Sequence, residues 1–243
     1  GIIQDLNRNA MLGTLSHLRR ISNPLPPGSN SIGPRKLHNS QWGFICPSES
    51  PDGGNVGIIN HLAITTQVSF NVSEIGLMDA LLDQGLIMLQ DSVGSDLNQT
   101  CKIFLNGKWI GIHKDPEYLY KIMRLLKLNS LIHLYTSIYW DIRVNEIYVF
   151  CDSGRLLRPV LVLKKMGSKV SCPLIEGDFS KMSSWNHLIR GEHMYRLDPE
   201  MSIYDERYHR DEFMIIKDKY EDYLSYLEDN ASQIEYIDPL ETE

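Results

Sequence analysis

Apolar residues at the start of the chain recur near helical spacing, at Ile2, Ile3, Leu6, Ala10, Leu15 and Leu18, with no proline among them. The pattern predicts a helix from Ile2 to about Arg19. The following run, Ser22 to Pro34, holds four prolines and two glycines. Proline lacks the backbone donor a helix or central strand needs, so this run is expected to be a long exposed loop. Residues 41–46, Gln-Trp-Gly-Phe-Ile-Cys, read as a short buried strand entering a Pro47–Gly57 turn, after which Ile58–Phe70 resumes an apolar, β-compatible pattern. A first module is expected to span 1–70.

From Ser73 the spacing returns to helical over 73–82, with Ser73 as the capping residue. Cys101–Leu105, Asn106-Gly107 and Lys108–His113 have the strand, turn and strand chemistry of a type I′ hairpin. Asp115-Pro116 then opens a helix whose apolar stripe is Leu119, Ile122, Met123 and Leu126. Strands are expected at 136–142, 146–151 and 156–164, with Asp152-Ser153-Gly154 turning between the last two. Beyond Gly167 come short amphipathic helices, notably Asp211–Leu227, and a last strand over 233–238. The chain therefore reads as α+β and multi-domain, with a mixed α/β module over 71–164 and a smaller α+β segment over 165–243.

Composition narrows the class. A hydrophobic fraction of 42% and a charged fraction of 23% are ordinary for soluble globular proteins, and no apolar run approaches the ~20 residues of a membrane helix. The opening Gly1-Ile2-Ile3-Gln4 has neither initiator Met nor signal core, so a cut piece of an intracellular protein is expected. Cys46, Cys101, Cys151 and Cys172 match neither a zinc pair nor a disulfide framework, which points to reduced structural thiols. Net charge is −7, unevenly spread: residues 1–61 hold five Lys/Arg against three Asp/Glu, and the remainder 19 against 28. Nucleic-acid contact needs cations that replace the counterions around phosphates, so it is expected near the N-terminus only.

Arg19, Arg20, Arg35 and Lys36 flank the proline loop, where a guanidinium can grip a phosphate through paired charge-assisted bonds without reading bases. The plain alternative has Arg20 or Arg35 paired with Glu49 or Asp52. Gln4, Asn7 and Arg8 would share one face of the predicted helix. Glu49 and Asp52 have the types of an acid/base pair or metal site, yet no further carboxylate lies near in sequence. His17, His38 and His61 invite a metal or Cys46–His reading, but Pro47 follows the thiol and nothing signals an activating base. Gly53-Gly54-Asn55-Val56-Gly57 lacks the lysine of a phosphate loop and is expected to mark close backbone packing.

Three motifs occur in order: Ser16-His17-Leu18-Arg19-Arg20-Ile21-Ser22, Pro34-Arg35-Lys36-Leu37-His38 and Cys46-Pro47-Ser48-Glu49-Ser50-Pro51-Asp52-Gly53, with Gln4 13 positions before His17. Together they resemble the fork of the β-type, second-largest subunits of multisubunit DNA-directed RNA polymerases. Lys102–Gly111 and Asp152–Pro159 are similar to the first external domain of the eukaryotic-type subunit, and Glu235-Tyr236-Ile237-Asp238 to a strand of the second. The resemblance implies a fork region over 1–70, an external 1-like module over 71–164 and an acidic external 2-like segment over 165–243. It favours the eukaryotic, archaeal or large-DNA-virus branch.

What the resemblance implies is a part of a nucleotidyltransferase core, inactive alone, that positions RNA–DNA hybrid, downstream DNA and incoming nucleotide. Nucleic-acid contacts would be Gln4, Asn7, Arg8, Arg19, Arg20, Ser29, Asn30, Arg35 and Lys36, with Glu49 and Asp52 supporting the nucleotide site. No cofactor would be bound here, since the family's Mg is held mainly by the largest subunit. Partners would be that subunit and the other polymerase subunits, template DNA, nascent RNA and nucleoside triphosphates, in the nucleus, or in cytoplasm or virion for a viral enzyme. The family's Glu-Thr-Pro-Glu-Gly is here Glu49-Ser50-Pro51-Asp52-Gly53, and the 23–33 loop lacks charged residues; such divergence suits a viral polymerase. The competing readings are a free-standing acidic scaffold whose C-terminal part binds a basic partner, and a small cysteine- or carboxylate-dependent hydrolase.

Overall fold

The computed structural model describes residues 3–23, 25, 29–92, 100–166, 169–172 and 184–242. The chain divides into two compact units, 1–67 and 68–243.

In the first unit, helix α1 is Met11–Leu18, and strands β1 (Arg20–Ser22) and β2 (Ile59–His61) pair antiparallel with Arg20 opposite His61. The helix is shorter than the apolar spacing predicts. Residues 3–10 are not helical, because polar side chains hold that segment in another course: Thr14 Oγ1 donates to the Asn7 carbonyl at 2.6 Å, and Asn7 N donates to His17 Nδ1 at 3.1 Å. Side chains of this kind compete with helical backbone bonds. The strand expected over 41–46 reduces to one bridge between Ile45 and Leu62, since the Gln41 carbonyl accepts from both Phe44 N and Ile45 N in a tight turn. The turn needs Gly43, whose φ is 78°. Phe44 and Ile58 are the buried apolar residues of this small core among the described residues, with Thr66 donating to the Gly43 and Phe44 carbonyls.

The second unit is α+β. Its first helix is α2 (Glu74–Asp83), whose cap Ser73 accepts from Ile75 N. Strands β3 (Ile87–Met88), β4 (Cys101–Leu105) and β5 (Lys108–His113) follow, then α3 (Pro116–Leu128), capped by Asp115 at 3.0 Å from Tyr118 N. With β6 (Ser137–Asp141) and β7 (Glu146–Phe150) they make a five-stranded sheet of order β3-β5-β4-β7-β6, antiparallel except for the β4–β7 pair. The turn between β4 and β5 is the one the sequence predicts, with Asn106 and Gly107 both at positive φ. Alternation sends Cys101, Ile103 and Leu105 inward against Leu81 of α2 and Leu119, Ile122 and Leu126 of α3.

Strand β8 (Leu156–Leu161) is followed by the hairpin strands β9 (Lys164–Met166) and β10 (Lys169–Ser171). Helices α4 (Trp185–Ile189), α5 (Glu192–Leu197), α6 (Arg210–Lys219) and α7 (Tyr223–Asp229) lead to β11 (Ile234–Ile237), which pairs antiparallel with β8. The single helix expected over 211–227 is two, because Tyr220 is extended and Asp222 caps a fresh start by accepting from Ser225 N. Phe213, Ile216 and Leu227 enter the same core as Leu119 and Ile103, so segments on either side of residue 164 share one apolar interior.

Candidate nucleic-acid interface

The cations proposed from sequence fall into two kinds. Arg19 is half-buried and donates from Nη2 to the Ala63 carbonyl at 2.6 Å and the Thr66 carbonyl at 3.1 Å, bracing α1 to the segment after β2. Arg35 donates to four carbonyls: Ser29 (3.2 Å), Ser31 (3.2 Å), Gly54 (2.7 Å) and Val56 (3.0 Å). Its fork is therefore spent on joining the proline-rich loop to the Pro47–Gly57 turn. Neither arginine pairs with Glu49 or Asp52. Arg8, Arg20 and Lys36 are exposed, and neither Arg8 nor Lys36 has a side-chain partner among the described residues.

Arg20 lines an open cleft of about 440 Å³ with Ser16, Ser48, Glu49, Ser50, Pro51, Ile59 and His61. Only its Nε is engaged among the described residues, at 3.2 Å from His61 Nε2. Glu49 Oε1 accepts from Ser16 Oγ at 2.6 Å, Ser50 Oγ accepts from Gly57 N at 2.9 Å, and Asp52 Oδ1 caps the next turn through Gly53 N at 2.8 Å. The two carboxylates hold backbone and hydroxyl groups rather than each other. Among the described residues no cluster of three or more His, Cys, Asp or Glu side chains is placed to hold a metal ion.

Gln4 and Asn7 do not lie along a helix face. Both meet His17, whose Nδ1 accepts from Asn7 N and whose Nε2 therefore carries the proton and donates to Gln4 Oε1 at 2.9 Å. Ser29 Oγ accepts from Ser31 N, and Asn30 is exposed beside it. Gly57 does mark close packing: at φ +70 its Cα faces Arg35, whose carbonyl oxygen would sit 2.3 Å from an added Cβ. Gly53 and Gly54 are open on that side. What sequence reasoning missed is the part of Ser16 and His61 in this cleft. Each is far from Glu49 in sequence, and only the pairing of Arg20 with His61 brings the imidazole beside the guanidinium.

Residues 4–68 match the family model described as RNA polymerase Rpb2, domain 3, and residues 103–164 match RNA polymerase Rpb2, domain 4. Similar proteins include the "DNA-directed RNA polymerase II subunit RPB2" of Encephalitozoon cuniculi, 36% identical over 82% of this chain and 18% of the relative. The protein of the same name from Meyerozyma guilliermondii is 31% identical over 100% of this chain and 18% of its own length. The "DNA-directed RNA polymerase subunit Rpo2" of Saccharolobus shibatae is 31% identical over 82% of this chain and 19% of the relative. The chain belongs to the family of second-largest subunits of DNA-directed RNA polymerases, of the kind found in eukaryotes and archaea. It spans less than a fifth of the length of these relatives.

Proposed function

We propose that this chain is a part of a DNA-dependent RNA polymerase core that positions RNA–DNA hybrid, downstream DNA and incoming nucleotide during transcription. What supports the reading is that the unit matching Rpb2 domain 3 is also the one with the surplus of cations, while the acidic remainder is unsuited to a polyanion. Its share in nucleotidyl transfer is geometric: a strand held in register converts a loose encounter into an aligned one. Arg8, Arg20 and Lys36 are the phosphate-facing cations, with Gln4, Asn7, Ser29 and Asn30 as polar neighbours. Arg19 and Arg35 act through the loops they brace, and Glu49 and Asp52 support the nucleotide site by ordering the 48–57 turn. The metal chemistry belongs to the largest subunit, which is also the principal partner, and the place of action is intracellular.

The test uses an assembled polymerase carrying this chain in its second-largest subunit, stalled on a preformed hybrid. Loss of one phosphate contact lowers the salt slope of dissociation by about 1 and weakens binding alike for all sequences. Arg20→Ala is expected to do both. An unchanged slope for Arg8→Ala, Arg20→Ala and Lys36→Ala together would remove the nucleic-acid reading of this surface.

A further inference from the structure

We propose that His61 is a positioning residue for Arg20: a neutral imidazole, protonated on Nδ1, that fixes the guanidinium through Nε while leaving its charge and both Nη nitrogens for a nucleic-acid phosphate. The ligand part of this rests on the reading above; the imidazole geometry does not.

His61 closes β2 directly opposite Arg20 at the start of β1, so both side chains leave the same face of the strand pair. His61 is 6% exposed. Its Nδ1 lies 3.1 Å from the Glu49 carbonyl oxygen, which can only accept, so Nδ1 bears the proton. Its Nε2 lies 3.2 Å from Arg20 Nε, which can only donate, so Nε2 offers its lone pair. Two independent contacts thus select the same tautomer of an uncharged ring.

The choice of acceptor matters. A carboxylate in the place of Nε2 would hold the arginine equally well but cancel its charge, whereas an imidazole lone pair orients the guanidinium and leaves it cationic. Neither Nη of Arg20 has a hydrogen-bond partner among the described residues, and the group lines the open cleft with the Ser48 and Ser50 side chains. Restricting Arg20 beforehand reduces the ordering entropy lost on binding. The charged groups facing the ring are Arg20 from β1 and the Glu49 carboxylate, whose Oε1 is 3.6 Å from Nε2 and already accepts from Ser16 of α1. A second proton on the ring would set N–H against N–H and cation against cation at Arg20. The ring's new donor would then turn to Glu49, releasing the arginine.

The first arm needs no nucleic acid. In the 243-residue chain with ¹⁵N-labelled histidine, Nδ1 of His61 should give a pyrrole-type shift and Nε2 a pyridine-type shift at neutral pH. The reverse assignment, or a doubly protonated ring, overturns the inference whatever the protein binds. The second arm uses the assembled polymerase on a preformed hybrid. His61→Leu should weaken hybrid retention on the order of tenfold, as loss of one charge-assisted contact does. His61→Gln, whose amide oxygen can replace the Nε2 lone pair, should restore it. If Arg20→Ala impairs retention while His61→Leu does not, the positioning role is wrong and the phosphate-binding role of Arg20 stands. If Arg20→Ala has no effect, the binding role fails as well.

Discussion

Lys127 of α3, wholly buried, donates from Nζ to the Glu241 carboxylate at 3.1 Å, joining residues 114 positions apart. The same ammonium lies 3.4 Å from Glu235 of β11, which Arg124 grips from one turn earlier through Nε and Nη2, the latter at 2.7 Å. Glu241 also accepts from Ile138 N of β6 and Asp238 N, both at 3.0 Å. One ionic cluster therefore ties α3, an edge strand of the sheet and the end of the chain. Removing one partner of a buried pair typically costs 3–5 kcal/mol, because it strands the other charge. Lys127→Met is expected to lower the urea-derived stability of the second unit by about that amount, with partial recovery on adding Glu241→Gln. A loss below about 1 kcal/mol would mean that water reaches the cluster.

The two acids should respond oppositely to pH. Burial pushes the Glu241 carboxyl up, and Lys127 offsets that only in part. Burial acts on Glu235 in the same sense, but Lys127 and Arg124 carry it below the ordinary carboxylate value. A raised acid binds more protons folded than unfolded, so its contribution to stability improves as pH falls toward the unfolded value of about 4.3. A depressed acid gives a contribution that is complete at neutral pH and is lost as pH drops below that value through the folded one. Measured between pH 7 and 3, the advantage of wild type over Glu241→Gln should grow with the first acidification. Its advantage over Glu235→Gln should shrink only at the acid end.

Legibility followed the range of the interactions. The Asn106-Gly107 turn and the Asp115-Pro116 helix start rest on neighbouring residues, and the sequence predicts each nearly to its bounds. The course of residues 3–10 depends on His17 and Thr14, and the break at Tyr220 on a cap at Asp222, so spacing alone predicts helix where there is none or too much. Candidate cations could be named from sequence, but not sorted. Whether an arginine faces a cleft or a set of carbonyls is settled by strand pairing and loop contacts, as Arg20 and Arg35 illustrate. The Lys127 cluster left no local signal at all.

Arg35 and Gly57 belong to one joint between two loops. Each carbonyl bond from a charged donor contributes about 1.5–3 kcal/mol where shielded and less in water, so Arg35→Ala should loosen the joint by about 2 kcal/mol or more. Lysine has a single ammonium and no fork, so Arg35→Lys should recover little. Gly57→Ala should do comparable damage for a separate reason, since the new methyl meets the Arg35 carbonyl and the backbone is already at φ +70. Hydrogen exchange at residues 53–57 is the direct measure. Faster exchange in Arg35→Ala, Arg35→Lys and Gly57→Ala, with the second unit unchanged, is the expected result. An Arg35→Ala variant with native exchange would show the four contacts to be dispensable.

The four cysteines are free, and their surroundings set an order of reactivity. Burial raises the Cys101 thiol to about 11 and also pushes Cys151 up, despite the Asn106 amide that hydrogen-bonds its sulfur. With that value only about one Cys101 thiol in a thousand is ionised at pH 8, and the thiolate is the reacting species. Cys172 is buried as well, whereas Cys46 is half-buried, and no histidine hydrogen-bonds its thiol among the described residues. Iodoacetamide at pH 8 is therefore expected to modify Cys46 first, with Cys101 and Cys151 modified only as the second unit opens. In denaturant all four should react alike. Cys101 labelled on the time scale of Cys46 would mean that the central strand β4 opens far below global unfolding. A hyper-reactive Cys46 would instead reinstate the nucleophile reading that the geometry around Pro47 gives no reason to hold.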